Sequence, residues 1–151
     1  MPPPHFRTQH WLAQLQAQGY RLTAPRRAVV DIVARSTHLL SPAEVYERTR
    51  RRHPAIGLVT VYRTLEKLED LGLIQRVHQP GGCHAFIASA AGHQHLLICQ
   101  DCGLAEYFSG DDLEPLMKTI GRSSGYAIKE HWLQLFGLCA ACKRDERSYR
   151  G

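Results

Sequence analysis

Long apolar runs are missing from this chain. No stretch approaches the roughly 18 consecutive apolar residues that a membrane helix needs, so no membrane association is expected. Residues 1–10 contain three prolines and no apolar core, so they do not read as a secretory signal, and a cytoplasmic protein is expected. Also absent are HExxH, a glycine-rich phosphate loop and any nucleophile motif. That removes the usual grounds for an enzyme, and none is expected; a zinc hydrolase stays only as a remote alternative. Acidic residues are scarce in the first half. Residues 1–82 hold twelve Lys/Arg against six Asp/Glu, whereas residues 83–151 hold seven against eight. The cationic half, with its run Arg50, Arg51, Arg52, suits a polyanion partner, although a merely solvated basic face would look the same.

At 151 residues the chain suits one domain or two small ones. Its first half reads as four helices and a hairpin. Trp11, Leu12 and Leu15 mark a short amphipathic helix. A second helix begins near Thr23, with Pro25 in its first turn and Val29, Ile32 and Val33 inward. Ser41-Pro42-Ala43-Glu44 is a capping box, which predicts a helix from 41 to about 52. A fourth helix is predicted over 59–71, stopped by Gly72. Its inner stripe is Val61, Leu65 and Leu68; Thr60, Arg63, Thr64 and Lys67 are expected to point outward, with Tyr62 at the edge. Strands over 73–78 and 83–87 flank Pro80-Gly81-Gly82, a hairpin signature. Helices followed by a hairpin describe a winged helix, whose last helix can enter a major groove. Arg63 is suited to a bidentate contact with guanine, and Tyr62 to a thymine methyl or a phosphate. Thr60 lies on the same outward face. Arg26, Arg27 and Lys67 are suited to phosphates. A protein-interaction domain with solvated arginines remains open on this pattern.

Four of the five cysteines form two CxxC pairs, Cys99/Cys102 and Cys139/Cys142. Two such knuckles in one small domain point to a four-cysteine zinc site, closed and structural. A redox thiol switch is the alternative, but the accompanying thioredoxin-like βαβ pattern is absent. The gap between the pairs requires a whole subdomain to loop out. Just before Cys99, His93 and His95 would share one face of an extended segment. A helix is predicted after Ser109-Gly110-Asp111, with Glu114 in its first turn. His131 falls in a predicted strand over 126–136. Three imidazoles and a carboxylate would suit Zn(II), Fe(II), Mn(II) or Co(II); a histidine taken alone is more often a surface or hydrogen-bonded residue than a ligand.

Taken in order, several stretches resemble the ferric uptake regulator (Fur) family. They are Gly19-Tyr20-Arg21-Leu22-Thr23-Ala24-Pro25-Arg26, Ser41-Pro42-Ala43-Glu44-Val45-Tyr46, and Gly57-Leu58-Val59-Thr60-Val61-Tyr62-Arg63-Thr64-Leu65. His93-Gln94-His95-Leu96-Leu97-Ile98-Cys99-Gln100-Asp101-Cys102-Gly103 and Gly137-Leu138-Cys139-Ala140-Ala141-Cys142 follow. The resemblance covers residues 11–143 and implies an α+β protein. Residues 1–87 would be a winged-helix DNA-binding domain, 88–92 a hinge, and 93–151 an α/β dimerisation domain that binds metal and holds the four-cysteine zinc site. It further implies a homodimer on double-stranded DNA at an AT-rich palindromic operator, repressing metal-uptake genes. Tyr62 and Arg63 match its base-contacting positions. Cys99, Cys102, Cys139 and Cys142 match its structural zinc ligands. His93, His95, Glu114 and His131 match its regulatory metal site.

One departure stands out. Many members carry a second, hinge-proximal site at positions that here hold Gln94, Leu96 and Tyr107. That site is expected to be missing, or rebuilt from Cys83, His84, His78 and His38, with Cys83 and His84 the better candidates. The Gly137–Cys142 motif resembles the zinc-uptake branch, so the regulatory metal is expected to be Zn2+ before Fe2+, with manganese, nickel and peroxide sensing further behind.

Overall fold

The computed structural model describes residues 4–79, 82–110 and 113–149. The chain divides into two compact units, Met1–Ser89 and Ala90–Gly151.

In the first unit, helices α1 (Pro4–Ala17), α2 (Ala24–Arg35), α3 (Pro42–Arg50) and α4 (Leu58–Asp70) precede a hairpin of β1 (Ile74–His78) and β2 (His84–Ala88). The capping box forms as expected. Glu44 N–H donates to Ser41 Oγ, and Ser41 N–H donates back to Glu44 Oε2 at 2.8 Å. Two of the orphan amides at the helix start are thereby satisfied. Gly72 ends α4 with a φ of 66°, a left-handed conformation that glycine adopts without steric cost. Trp11, Leu15, Val29, Val33, Leu40, Val45, Val61, Leu65, Leu68, Ile74 and Phe86 form one buried core. Leu40 exchanges backbone hydrogen bonds with Phe86 as an isolated antiparallel bridge beside the hairpin. Three helices and a hairpin anchored this way are a winged helix, with α1 packed on α2.

Three expectations need correction here. The first helix is longer than its apolar stripe implied, because it extends back to Pro4. Thr64 does not point outward. It is fully buried, its hydroxyl donating to Thr60 O at 2.7 Å and lying 3.3 Å from Tyr20 Oη. A threonine can line an inner face when a backbone carbonyl four residues back takes its proton. Ala88, expected in the hinge, pairs with Ile74 as the first rung of the β1–β2 ladder. Pro80 and Gly81 of the expected turn lie outside the described residues.

The second unit is a three-stranded sheet of order β4-β3-β5 with two helices. Its strands are β3 (Gln94–Cys99), β4 (Ala105–Ser109) and β5 (Gln134–Gly137), and its helices are α5 (Glu114–Ser124) and α6 (Ala140–Tyr149). β3 and β4 are antiparallel, whereas β3 and β5 run parallel, with Leu96 opposite Gln134 and Cys99 opposite Gly137. The strand predicted over 126–136 is shorter than expected, and His131 lies just before β5 rather than within it. No helix among the described residues is long and apolar enough to cross a membrane.

Truncating Leu65, which is almost completely buried, to alanine should lower the unfolding free energy by about 2–5 kcal/mol. Ser41→Ala, which removes only the cap, should cost about 1 kcal/mol. Urea denaturation of the two variants checks both the magnitudes and their order.

Candidate metal centres and nucleic-acid face

Both candidate metal centres grow from the parallel pairing of β3 and β5. At the C-terminal end of the pair, Cys99 lies opposite Gly137, which brings Cys139, two residues on, against it. Cys139 N–H points at Cys99 Sγ from 3.3 Å. Cys102 follows in a tight turn closed by Gly103 N–H to Cys99 O, and Cys142 is carried on the first turn of α6. All four sulfurs lie within 4.8 Å of one another, with Cys102 and Cys139 3.8 Å apart. Four thiolates about 2.3 Å from one zinc ion stand about 3.8 Å from each other, so the spacing fits the ion.

Electrostatics support the same reading. Burial disfavours the Cys99 thiolate, but backbone amides of Cys102, Cys139 and Asp101 and the thiol of Cys102 donate toward its sulfur and bring its pKa down from 9.0 to about 6. Hydrogen bonding to Asp101, then to Cys139, pushes the Cys142 thiol up. A divalent cation held by these cysteines would replace the thiol protons, since metal binding at thiols releases them.

At the other end of the pair the same register continues backward. His93 and His131 are separated by 38 residues, the offset of the ladder pair Leu96 and Gln134. Their Nε2 atoms lie 3.0 Å apart, and His131 Nε2 is 3.3 Å from His95 Nε2. Three nitrogens about 2.0–2.1 Å from one zinc ion would stand about 3.3 Å apart. Three imidazole nitrogens aimed at one point repel unless a proton or cation lies between them. His95 is 2 % exposed. Its pKa is lowered from 6.5, first by burial and then by the charges of His93 and His131, which keeps it in the neutral, ligating form.

Glu114 is the first residue of α5 and borders the cavity beside His93 and His131, together with Gly110, Met117 and Lys129. The structure does not bring its carboxylate into the histidine cluster. It pairs instead with Lys118 at 2.8 Å, and that lysine lowers its pKa. His38, His78, Cys83 and His84 form no group of three or more metal-competent side chains among the described residues. His78 and His84 do face each other across the hairpin, and Cys83 is exposed beside them.

On the first unit, the N-terminal half of α4 exposes a mixed face. Val59 is 62 % and Tyr62 41 % exposed, Arg63 is exposed and Thr60 half-buried. Leu58 and Val59 are large apolar side chains left in solvent, which the expected inner stripe did not include. The signal for them was the run Gly57-Leu58-Val59, apolar ahead of that stripe. Arg27 is exposed and Lys67 reaches Asp70 at 3.9 Å. Arg26 is engaged within its own unit, donating to Arg21 O at 2.8 Å and lying over the Tyr20 ring.

A model of the Ferric uptake regulator family matches residues 17–136. The chain belongs to that family. The ferric uptake regulation protein of Escherichia coli K12 is 33% identical over 140 residues, covering 91% of this chain and 95% of the relative. A solved zinc uptake regulator complexed with zinc and DNA is 25% identical, with a TM-score of 0.67, over 93% of this chain and 97% of that one. A zinc-bound manganese uptake regulator is 28% identical, with a TM-score of 0.69, over 85% and 98%. Ferric uptake regulator family members are metal-responsive transcriptional regulators rather than enzymes, and they bind DNA as dimers. The mixed helix-and-sheet fold and the two metal-competent clusters of this chain agree with that family.

Cys102→Ser should reduce by one per chain the zinc that survives dialysis, and should lower the thermal midpoint of the second unit. Cys83→Ser should leave that tightly held zinc unchanged. Metal analysis by mass spectrometry, alongside circular dichroism, reads both.

Proposed function

We propose that this Ferric uptake regulator family member is a zinc-responsive repressor of metal-uptake genes, acting as a homodimer on an AT-rich palindromic operator. The observation that carries the reading is the convergence of three imidazoles, with His131 Nε2 3.0 Å from His93 Nε2 and 3.3 Å from His95 Nε2, in a chain that also holds a four-cysteine cluster. Imidazole suits zinc, copper, iron and nickel, whereas carboxylate and water suit manganese; between zinc and iron, the resemblance of the Gly137–Cys142 motif to the zinc-uptake branch favours zinc. In this reading Cys99, Cys102, Cys139 and Cys142 hold a structural zinc ion. His93, His95 and His131 hold the regulatory ion, with Glu114 as fourth ligand once it exchanges Lys118 for the metal. Cys83 and His84, with His78 and His38, are the residues available for a second regulatory site near the hairpin.

The first unit supplies the DNA reader. α4 enters the major groove with Thr60, Tyr62 and Arg63 toward base edges. Arg63 takes a guanine and Tyr62 a thymine methyl or a phosphate. Lys67 and Arg27 neutralise phosphates, as does Arg26 in so far as its contacts with Tyr20 and Arg21 leave it free to do so. Metal at the histidine cluster selects, among the arrangements open to the dimer, the one that matches the half-sites.

Iron is the second reading, favoured by the naming of the Escherichia coli relative as a ferric uptake regulation protein. Fluorescence anisotropy on the upstream DNA separates the two. The protein is stripped of weakly held metal and titrated with buffered Zn(II), Mn(II) and anaerobic Fe(II). Binding switched on by Zn(II) alone is expected. Activation by Fe(II) would move the protein to the iron branch, and binding indifferent to metal would end the sensor reading.

Two variants sharpen the expectation. His131→Ala should abolish metal-dependent enhancement of about 5–150-fold, the usual scale of such coupling, while retaining the tightly held zinc. Arg63→Ala should cost about 1–3 kcal/mol on the preferred sequence and relax its selectivity. In each case the affinity should fall steeply with added salt, because phosphate neutralisation releases counterions.

A further inference from the structure

Gly110, like Gly121 beside Tyr126 O, differs from most of the described glycines in what constrains it. Gly19, Gly72, Gly82, Gly92, Gly103 and Gly125 adopt positive φ angles, and their backbone explains them. Gly110 does not. It is buried at the exit of β4 in a conformation open to any residue, and its carbonyl accepts Leu113 N–H at 2.9 Å. Its constraint is space. A Cβ at this position would fall on His95 Nε2 and Cδ2, well inside the 3.0 Å that real Cβ atoms keep. At Gly57 and Gly137, by contrast, an added Cβ would meet nothing within 4 Å.

Aromatic rings flank His95 on three sides. Phe108 packs against it at 5.5 Å between centroids, and the rings of His93 and His131 lie at 4.8 and 5.0 Å. Any side chain at position 110 must therefore displace the imidazole, and the atom displaced first is Nε2, the one that faces the other two histidines.

We propose that Gly110 is the positioning residue of the histidine cluster, its missing side chain being the space that lets His95 join as the third imidazole. The proposal rests on reading that cluster as a metal site, and it deepens that reading. By admitting an imidazole here, Gly110 allows three nitrogen ligands rather than two and so favours zinc over manganese at this centre.

The test is a double-mutant cycle on the full chain with its tightly held zinc in place. Wild type, Gly110→Ala, His95→Ala and the double variant are titrated with Zn(II) and with Mn(II) against a competing chelator. Cobalt(II) absorption of the same site provides a spectroscopic readout. Gly110→Ala should weaken the second zinc by about 10–100-fold, the range for residues that orient ligands, without touching the tightly held ion. Its zinc-to-manganese preference should fall, and its cobalt spectrum should move toward that of His95→Ala. In the His95→Ala background the substitution should cost nothing more, because it acts through a ring no longer there.

Should Gly110→Ala fold poorly, recovery of the melting temperature in the double variant establishes the same steric coupling, since alanine at position 95 vacates the space. An unchanged second-site affinity in Gly110→Ala would overturn the proposal. So would an equal loss with and without His95. A wild-type chain that binds no second zinc would overturn the metal-site reading itself, and the role of Gly110 with it.

Discussion

The parallel pairing of β3 with β5 is the constraint on which the second unit depends. One register of four rungs places His93 beside His131 at one end and Cys99 beside Cys139 at the other. A slip by a single residue would turn every side chain of β5 to the opposite face and break both clusters at once. A parallel pair also needs a long connection between its strands, and here that connection carries β4 and α5. Closing it costs chain entropy, while β5 is only four residues long. The four thiols at its end are placed to offset that cost, because an ion bound there holds the two ends of the excursion together. The architecture thus uses a metal where a longer strand would otherwise be required.

The first unit rests on a different balance. Its helices are local, its hairpin pairs neighbours in sequence, and one apolar core runs through all of them. It needs no metal to bury its surface, and its exposed face on α4 is left for another task. Its buried Thr64 and Thr49 are satisfied internally, each donating to a carbonyl four residues back. The division of labour between the two units is therefore visible in how each is stabilised: by apolar burial in one, and by side chains suited to coordination in the other.

Much of the first unit is legible in the sequence because its signals are local. A serine, a proline and a glutamate at fixed offsets declare the start of α3, and Gly72 declares the end of α4. Thr64 reads as outward because hydroxyl side chains are ambiguous on a helix face, and only the packing of Tyr20 against it decides the matter. The two CxxC pairs announce a four-cysteine site, but no local signal reveals that β5 runs parallel to β3. For that reason the sequence puts His131 inside a strand. In the structure, a register offset rather than a strand brings His131 to His93, while Glu114, the carboxylate that the family resemblance adds to the set, is paired with Lys118 one turn along α5. Gly110 carries no sequence signal at all, since a glycine before a helix reads as a turn residue.

The order of the elements along the chain has a consequence for how the protein comes into being. Domains commonly fold as units during synthesis, the N-terminal one first, at about 5–20 residues per second. The first unit is complete at Ser89. The strand and thiols that complete the second emerge only when Cys142 does, roughly 3–10 s later at those rates. Through that interval the ribosome carries a finished winged helix whose companion unit still lacks part of each coordinating set. Both coordinating sets are therefore completed only late in synthesis.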